Sequence, residues 1–149
     1  FPPLAENDCF HAGNRPVICS TSLGVIGMMI CYDLRFPELA RSHAMQGAQI
    51  ILVSAQWPRS RIEHWDILLR ARAIENHVFI IACNRCGQEG DLIFGGHSQI
   101  ISPSGKVLAM LDAGPGTAST AIDFTEISTL KEQFDCIRGR MPEAYHLSF

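Results

Sequence analysis

Three nearly uninterrupted apolar runs limit what this chain can become. They are Val25–Ile30, residues 49–54 (QIILVS) and Val78–Cys83. None alternates apolar with polar residues, so each suits a strand covered on both faces rather than one with a wet side. The segments between them carry helix signals. After the first run, Pro37 is well placed for a helix's first turn, with Glu38 favourable at its positive end. That helix is expected to run to about Gln46, with Gly47 ending it. After the second run, a helix over about residues 61–76 presents Ile67, Leu68, Ala71 and Ile74 at helical spacing, while Glu63, Asp66 and Arg70 share another face. Strand, helix, strand, helix, strand predicts α/β layers.

The flanks are less regular. Residues 1–15 read as loop, and residues 16–20 (PVICS) as a short strand turned by Ser22-Leu23-Gly24. Beyond the third run, Gly87 to Gly96 reads as a glycine-bearing loop. Residues 97–101 and 107–111 form a hairpin around Pro103-Ser104-Gly105-Lys106. A last strand, Thr120–Asp123, and a helix, Thr125–Phe134, precede an irregular tail. The 149 residues contain no repeat and no interior linker, and they suffice for one domain with a sizeable core.

Charge and cysteine usage exclude several function classes. The net charge of −3 and pI of about 6.0 argue against a general nucleic-acid or anionic-membrane binder, which needs basic surface. No apolar run approaches the roughly 18 residues of a membrane span. Residues 1–10 lack the charged and apolar regions of a signal peptide. They open on Phe1-Pro2-Pro3 without an initiator Met, so the expectation is a piece of a longer polypeptide. Of the six cysteines, Cys19, Cys31 and Cys83 sit in or at the ends of apolar runs, which suits reduced thiols in a cytoplasmic protein better than a disulfide framework. Cys83-Asn84-Arg85-Cys86 spells C-x-x-C but follows a strand instead of opening a helix, so a redox role is not expected. His64 and His77 lie thirteen residues apart, no second C-x-x-C exists, and no metal site is expected.

Cys31 differs from the other cysteines. It ends an apolar run, and Asp33, Arg35 and Pro37 follow. A buried strand, a turn and a helix start make the geometry of a nucleophile elbow, although the Gly-x-Ser-x-Gly pattern is absent. There, backbone N–H groups can stabilise an oxyanion, and a nearby helix N-terminus favours a thiolate. Geometry alone leaves two readings open, a small apolar filler and a nucleophile.

The surrounding residues add a resemblance. Ile30-Cys31-Tyr32-Asp33-Leu34-Arg35-Phe36-Pro37-Glu38-Leu39 resembles the nucleophile motif of the nitrilase superfamily, the carbon–nitrogen hydrolases. His64-Trp65, Leu69 and Arg70-Ala71-Arg72-Ala73-Ile74-Glu75-Asn76 resemble the long helix that follows in that family. Asn84-Arg85, Gly87, Gly95-Gly96-His97-Ser98, Pro103 and Gly105 continue the match in order. Ser54-Ala55-Gln56-Trp57-Pro58, with the Cys-Tyr-Asp-Leu-Arg-Phe-Pro core, is most similar to the ω-amidase branch.

The resemblance implies part of an αββα sandwich and cofactor-free hydrolysis of a small carboxylate-bearing amide through a thioester on Cys31, with ammonia released. It implies an oxyanion contact from the Tyr32 backbone N–H, and a homodimer or larger homo-oligomer when complete. Its mechanism uses Glu, Lys and Cys. The family's lysine belongs to a Lys-x-His-Leu-Phe-like stretch whose last residue matches Phe1, so residues 1–149 read as the C-terminal portion of one hydrolase domain, with base and lysine upstream. Lys106 and Lys131 belong to other contexts. Glu6 fits the family's additional glutamate, which helps to position substrate and lysine. Trp57 is a candidate pocket wall, and Arg59 or Arg61 could hold a substrate carboxylate, Arg61 being the one chosen, while Asp33 and Arg35 are expected to pair across the turn and Glu75 to be a buried structural partner. Two alternatives remain: a non-catalytic fragment, and a superfamily member acting on nitriles or carbamoyl compounds.

Overall fold

The computed structural model describes residues 8–145. Six strands form one mixed sheet in the order β1-β2-β3-β4-β7-β8: β1 is Ile18–Thr21, β2 Gly24–Ile30, β3 Ile50–Ala55, β4 Phe79–Asn84, β7 Gln99–Ile101 and β8 Val107–Met110. The three apolar runs are β2, β3 and β4, parallel to one another. Parallel neighbours need a crossover between them. Helices α1 (Pro37–Met45) and α2 (Ile62–Asn76) supply the two crossovers. β1, β7 and β8 pair antiparallel. Helix α3 is Thr125–Gln133. No helix among the described residues is long and apolar enough to cross a membrane.

The two sheet faces are covered differently. Met29, Ile51, Val53, Ile80 and Ala82 point to the α1–α2 side, where they meet Leu34, Ala40, Trp65, Leu69 and Ala73. On the opposite face, the row Ile26, Ile50 and Phe79 is covered by Phe124 and Ile127 around α3. The next row, Met28, Leu52 and Ile81, is partly open. The last row, Ile30, Ser54 and Cys83, is exposed. Bare apolar surface therefore grows toward the end of β2 where Cys31 sits, with Met28 at 52% and Ile30 at 65% exposure.

Four expectations change. Gly87 to Gly96 is not a loop. Cys86–Glu89 (β5) pairs antiparallel with Leu92–Gly95 (β6) across the two-residue turn Gly90-Asp91, and Gly90 takes the positive φ such a turn needs. The strand expected at Thr120–Asp123 does not form. Ile122 packs into the α3 cluster, but the segment joins no ladder. The first strand begins at Ile18. In α2 the buried stripe is Trp65, Leu69, Arg72, Ala73 and Asn76, so Ile67 and Ile74 face outward. That stripe includes an arginine and an asparagine, so apolar periodicity alone picks the wrong face.

These positions differ enough in burial to test the layering. Ile51 is 0% exposed at the centre of the sheet and Ile67 is 65% exposed. Ile51→Ala is expected to lower unfolding free energy in urea by about 2–5 kcal/mol. Ile67→Ala should stay within about 0.5 kcal/mol of wild type. Equal losses would contradict this assignment of faces.

Candidate active site

Cys31 is the first residue after β2 and opens a 3-10 turn, Cys31–Arg35. Its φ of +47° is left-handed, a conformation that costs a residue other than glycine and persists only where its surroundings enforce it. The side chain is half-buried against the α1–α2 core. Three sets of hydrogen bonds hold the turn. The Ile30 N–H donates to the Asp33 carboxylate at 2.9 Å, and the Phe36 N–H to the Asp33 carbonyl at 3.0 Å. From α2, Arg72 donates through Nε (3.2 Å) and Nη2 (2.9 Å) to the Leu34 carbonyl. Its Nη1 pairs with Glu75 Oε1 at 3.0 Å. Asp33 thus bonds the strand end rather than Arg35, correcting the expected pair. Glu75 is a structural partner as expected.

Arg35 instead lies over aromatic faces, 4.7 Å from the Trp57 ring centroid and 5.8 Å from that of Tyr32. Such stacking suits a planar guanidinium. Tyr32 meets Phe36 edge-on at 5.4 Å. Its backbone N–H directly follows Cys31 in the chain. Trp57 is 2% exposed, so any wall it forms lies one layer back, behind Arg35. Its indole N–H donates to the Arg61 carbonyl at 2.7 Å. Arg61 itself is exposed and ends the 3-10 turn Arg59–Arg61 that leads into α2. The ends of β2 and β3 thus place Tyr32, Arg35 and Trp57 in one stacked group next to Cys31 in the chain, which Arg61 joins through its backbone carbonyl. Glu6 lies outside the described residues.

Two functional supports escaped the sequence reading, Arg72 and Asn84. Asn84 ends β4, is buried, and accepts from the Trp57 N–H at 2.6 Å while donating to the Gly96 carbonyl at 2.7 Å. It locks the Trp57 loop to the segment after β6. That approach needs a glycine, because Gly96 has φ +65° and a Cβ there would come within 2.8 Å of the Asp112 carbonyl. His97 is a structural residue. Its Nδ1 meets Asp66 at 3.0 Å, and its carbonyl accepts from the Trp65 indole at 2.9 Å. The visible signal for Arg72 was Arg-x-x-Glu within a buried helix. Asn84 left only a polar residue at the end of an apolar run.

Other candidate chemistry lies elsewhere. Cys83 is exposed on the open sheet face and Cys86 lies on β5; all six cysteines are free. Among the described residues no group of three or more His, Cys, Asp or Glu could hold a metal ion. Lys106 is exposed in the β7–β8 connection and Lys131 is exposed on α3.

Two buried histidines give the fold a pH limit. His43 on α1 lies against Gly27 and its Nε2 meets the Met28 carbonyl at 3.1 Å, so Nε2 carries the proton. His77 accepts from the Cys136 N–H at 3.2 Å. Burial lowers both pKa values below the usual 6.5. Below that value the unfolded chain takes up protons that the folded one resists. Their contribution is thus complete above pH 6.5 and is lost as pH falls through the lower folded values. Stability measured by urea unfolding is expected to drop below about pH 6.5, and His77→Gln should flatten that slope. An unchanged slope would contradict a neutral buried His77.

With this geometry in view, residues 2–132 match the carbon–nitrogen hydrolase family. The chain is 40% identical over 146 residues to the "Hydrolase in agr operon" of Staphylococcus lugdunensis, covering 97% of this chain and 62% of that one. It is 47% identical over 113 residues to the 2-oxoglutaramate amidase of Bacillus subtilis, covering 74% of this chain and 44% of that one. A crystal structure of a mutant amidase from Nesterenkonia sp. AN1 carries the acetamide moiety of fluoroacetamide covalently on its active-site cysteine. It superposes with a TM-score of 0.80 at 31% identity, over 93% of this chain and 50% of that one. The chain spans about half the length of the curated relatives it matches. The elbow at Cys31, the mixed α/β sheet and these matches identify the chain as a member of the carbon–nitrogen hydrolase family, in the ω-amidase-like branch of the nitrilase superfamily.

Proposed function

We propose that this chain is the nucleophile-bearing part of an amidohydrolase, with Cys31 attacking the amide carbon of a small carboxylate-bearing substrate. The observation that supports it most is the left-handed backbone of Cys31, held from three sides at a strand end. A filler cysteine needs no such geometry. In this reading the thiolate adds to the carbonyl and the oxyanion faces the Tyr32 N–H. The C–N bond then breaks, the nitrogen leaves as ammonia with a proton, and a thioester remains on Cys31. Water cleaves the thioester, releasing the acid and restoring the thiol. No metal or organic cofactor takes part.

Glu6 is proposed to help position the substrate, Trp57 to back the pocket, and Arg61 to bind the substrate carboxylate in a charge-assisted pair. Two relatives named 2-oxoglutaramate amidase support a short substrate with a carboxylate at one end and an amide at the other. The intact protein is proposed to work in the cytoplasm as a homodimer or larger homo-oligomer, without nucleic-acid or membrane partners.

Cys31→Ala is expected to abolish ammonia release by the intact protein, while Cys83→Ala and Cys86→Ala keep most of it. Equal losses would contradict the assignment. Arg61→Ala is expected to lower kcat/KM for dicarboxylate monoamides about ten- to more than a hundredfold, the effect of losing a charge-assisted hydrogen bond of roughly 1.5–3 kcal/mol. Neutral amides should be nearly unaffected, and unchanged selectivity would remove Arg61 from the site. Preference for nitriles or carbamoyl compounds would overturn the substrate class.

A polypeptide of residues 1–149 alone is expected not to turn over. A base is worth roughly 10²–10⁴-fold and one oxyanion donor about 10²–10³-fold. The resemblance assigns neither the base nor the lysine to these residues. Comparable ammonia release from this polypeptide and from one extended by the upstream half of a hydrolase would contradict that expectation.

A further inference from the structure

We propose that Arg72 is a positioning residue for Cys31, an inference that rests on the reading of Cys31 as nucleophile. The reason begins with a backbone group that its own turn cannot serve. In a 3-10 turn a carbonyl accepts from the N–H three residues on. For Leu34 that residue is Pro37, which has no N–H. Leu34 is 0% exposed, so water cannot serve as the partner. A buried carbonyl without a donor is strongly disfavoured. Arg72 supplies the donors, two guanidinium N–H groups on that one oxygen.

The arginine is built for this one contact. It is 4% exposed on the buried stripe of α2, where an apolar side chain would otherwise pack. Glu75 Oε1 takes its third bond and balances its charge. Arg72 therefore acts on the elbow by direction and distance rather than by adding net charge. Pro37 starts α1, Arg72 belongs to α2, and the carbonyl between them belongs to the turn that begins at Cys31. The Asp33 carboxylate fixes the strand end of the same turn through the Ile30 N–H. With both anchors in place, Cys31 stays left-handed and its thiol keeps one direction. Without Arg72 the Leu34 carbonyl must turn to find another donor, and the turn behind Cys31 moves with it.

Cysteine alkylation reads this directly. In the intact protein, iodoacetamide modification of Cys31 is followed by peptide mass spectrometry against a free cysteine peptide added as an internal standard, under conditions where circular dichroism shows each variant fully folded. Arg72→Ala is expected to lower the ratio of the Cys31 modification rate to that of the standard about tenfold, the scale of a lost buried hydrogen bond. Millimolar guanidinium chloride should restore part of that ratio, and equal sodium chloride should not. Glu75→Gln keeps an acceptor for Arg72 and should change the ratio little. If Arg72→Ala does not fold, Arg72→Lys serves instead. It keeps the charge but cannot place two N–H groups on one oxygen, and a lowered ratio is again expected. An unmoved ratio in the folded variants, with only the unfolding midpoint reduced, overturns the positioning role. Hydrolysis that survives Cys31→Ala overturns the nucleophile reading, so the two failures are distinguishable.

Discussion

The turn at residues 31–35 cannot satisfy its own backbone, and much of the structure answers that deficit. Pro37 removes one donor, and the left-handed Cys31 breaks the ladder that β2 would otherwise continue. The repair comes from elements distant in sequence. The Leu34 carbonyl is served from α2, thirty-eight residues away. α2 is itself held by Trp65 on the His97 carbonyl and by Leu69 and Ala73 in the core. Its entry is set by the loop in which the Trp57 indole grips Arg61. The local irregularity at Cys31 is therefore enforced by the tertiary structure.

The uneven cover of the sheet follows the same logic. On the α1–α2 side the apolar residues are closed off. On the other side α3 closes only the row farthest from Cys31, and exposure rises to Ile30 beside the elbow. An exposed apolar sheet face calls for a covering layer, and the αββα sandwich of the family provides one in a second sheet. In open α/β sheets ligands bind outside the carboxyl ends of the strands, and Cys31 directly follows the carboxyl end of β2.

Much of the fold was legible because the strongest signals were physical. Short unbroken apolar runs bounded by turn residues suit strands that need cover, although Met28 and Ile30 of β2 stay exposed, and Pro37 with Glu38 favours a helix start. The hairpin β5–β6 was missed because its two strands are short and partly polar, leaving Gly90-Asp91 as the main sign. The face of α2 was misread because tertiary demand placed Arg72 and Asn76 inside and left Ile67 and Ile74 outside. The position of Cys31 at the elbow was readable from the residues around it. Its supports were not, since a buried arginine or asparagine looks in sequence like any surface residue. The same holds for Arg35, whose partners proved to be rings and not Asp33.

The central claim is that the constrained Cys31 is the atom on which the amide is opened, and an acid quench tests it most directly. The intact protein is mixed with a dicarboxylate monoamide, stopped in the first turnovers and digested, and its cysteine peptides are weighed. The expected result is an acyl adduct on the peptide holding Cys31, absent from those holding Cys83 and Cys86 and lost on treatment with hydroxylamine. Steady ammonia release with no adduct on Cys31, or with one on another cysteine, would contradict the account.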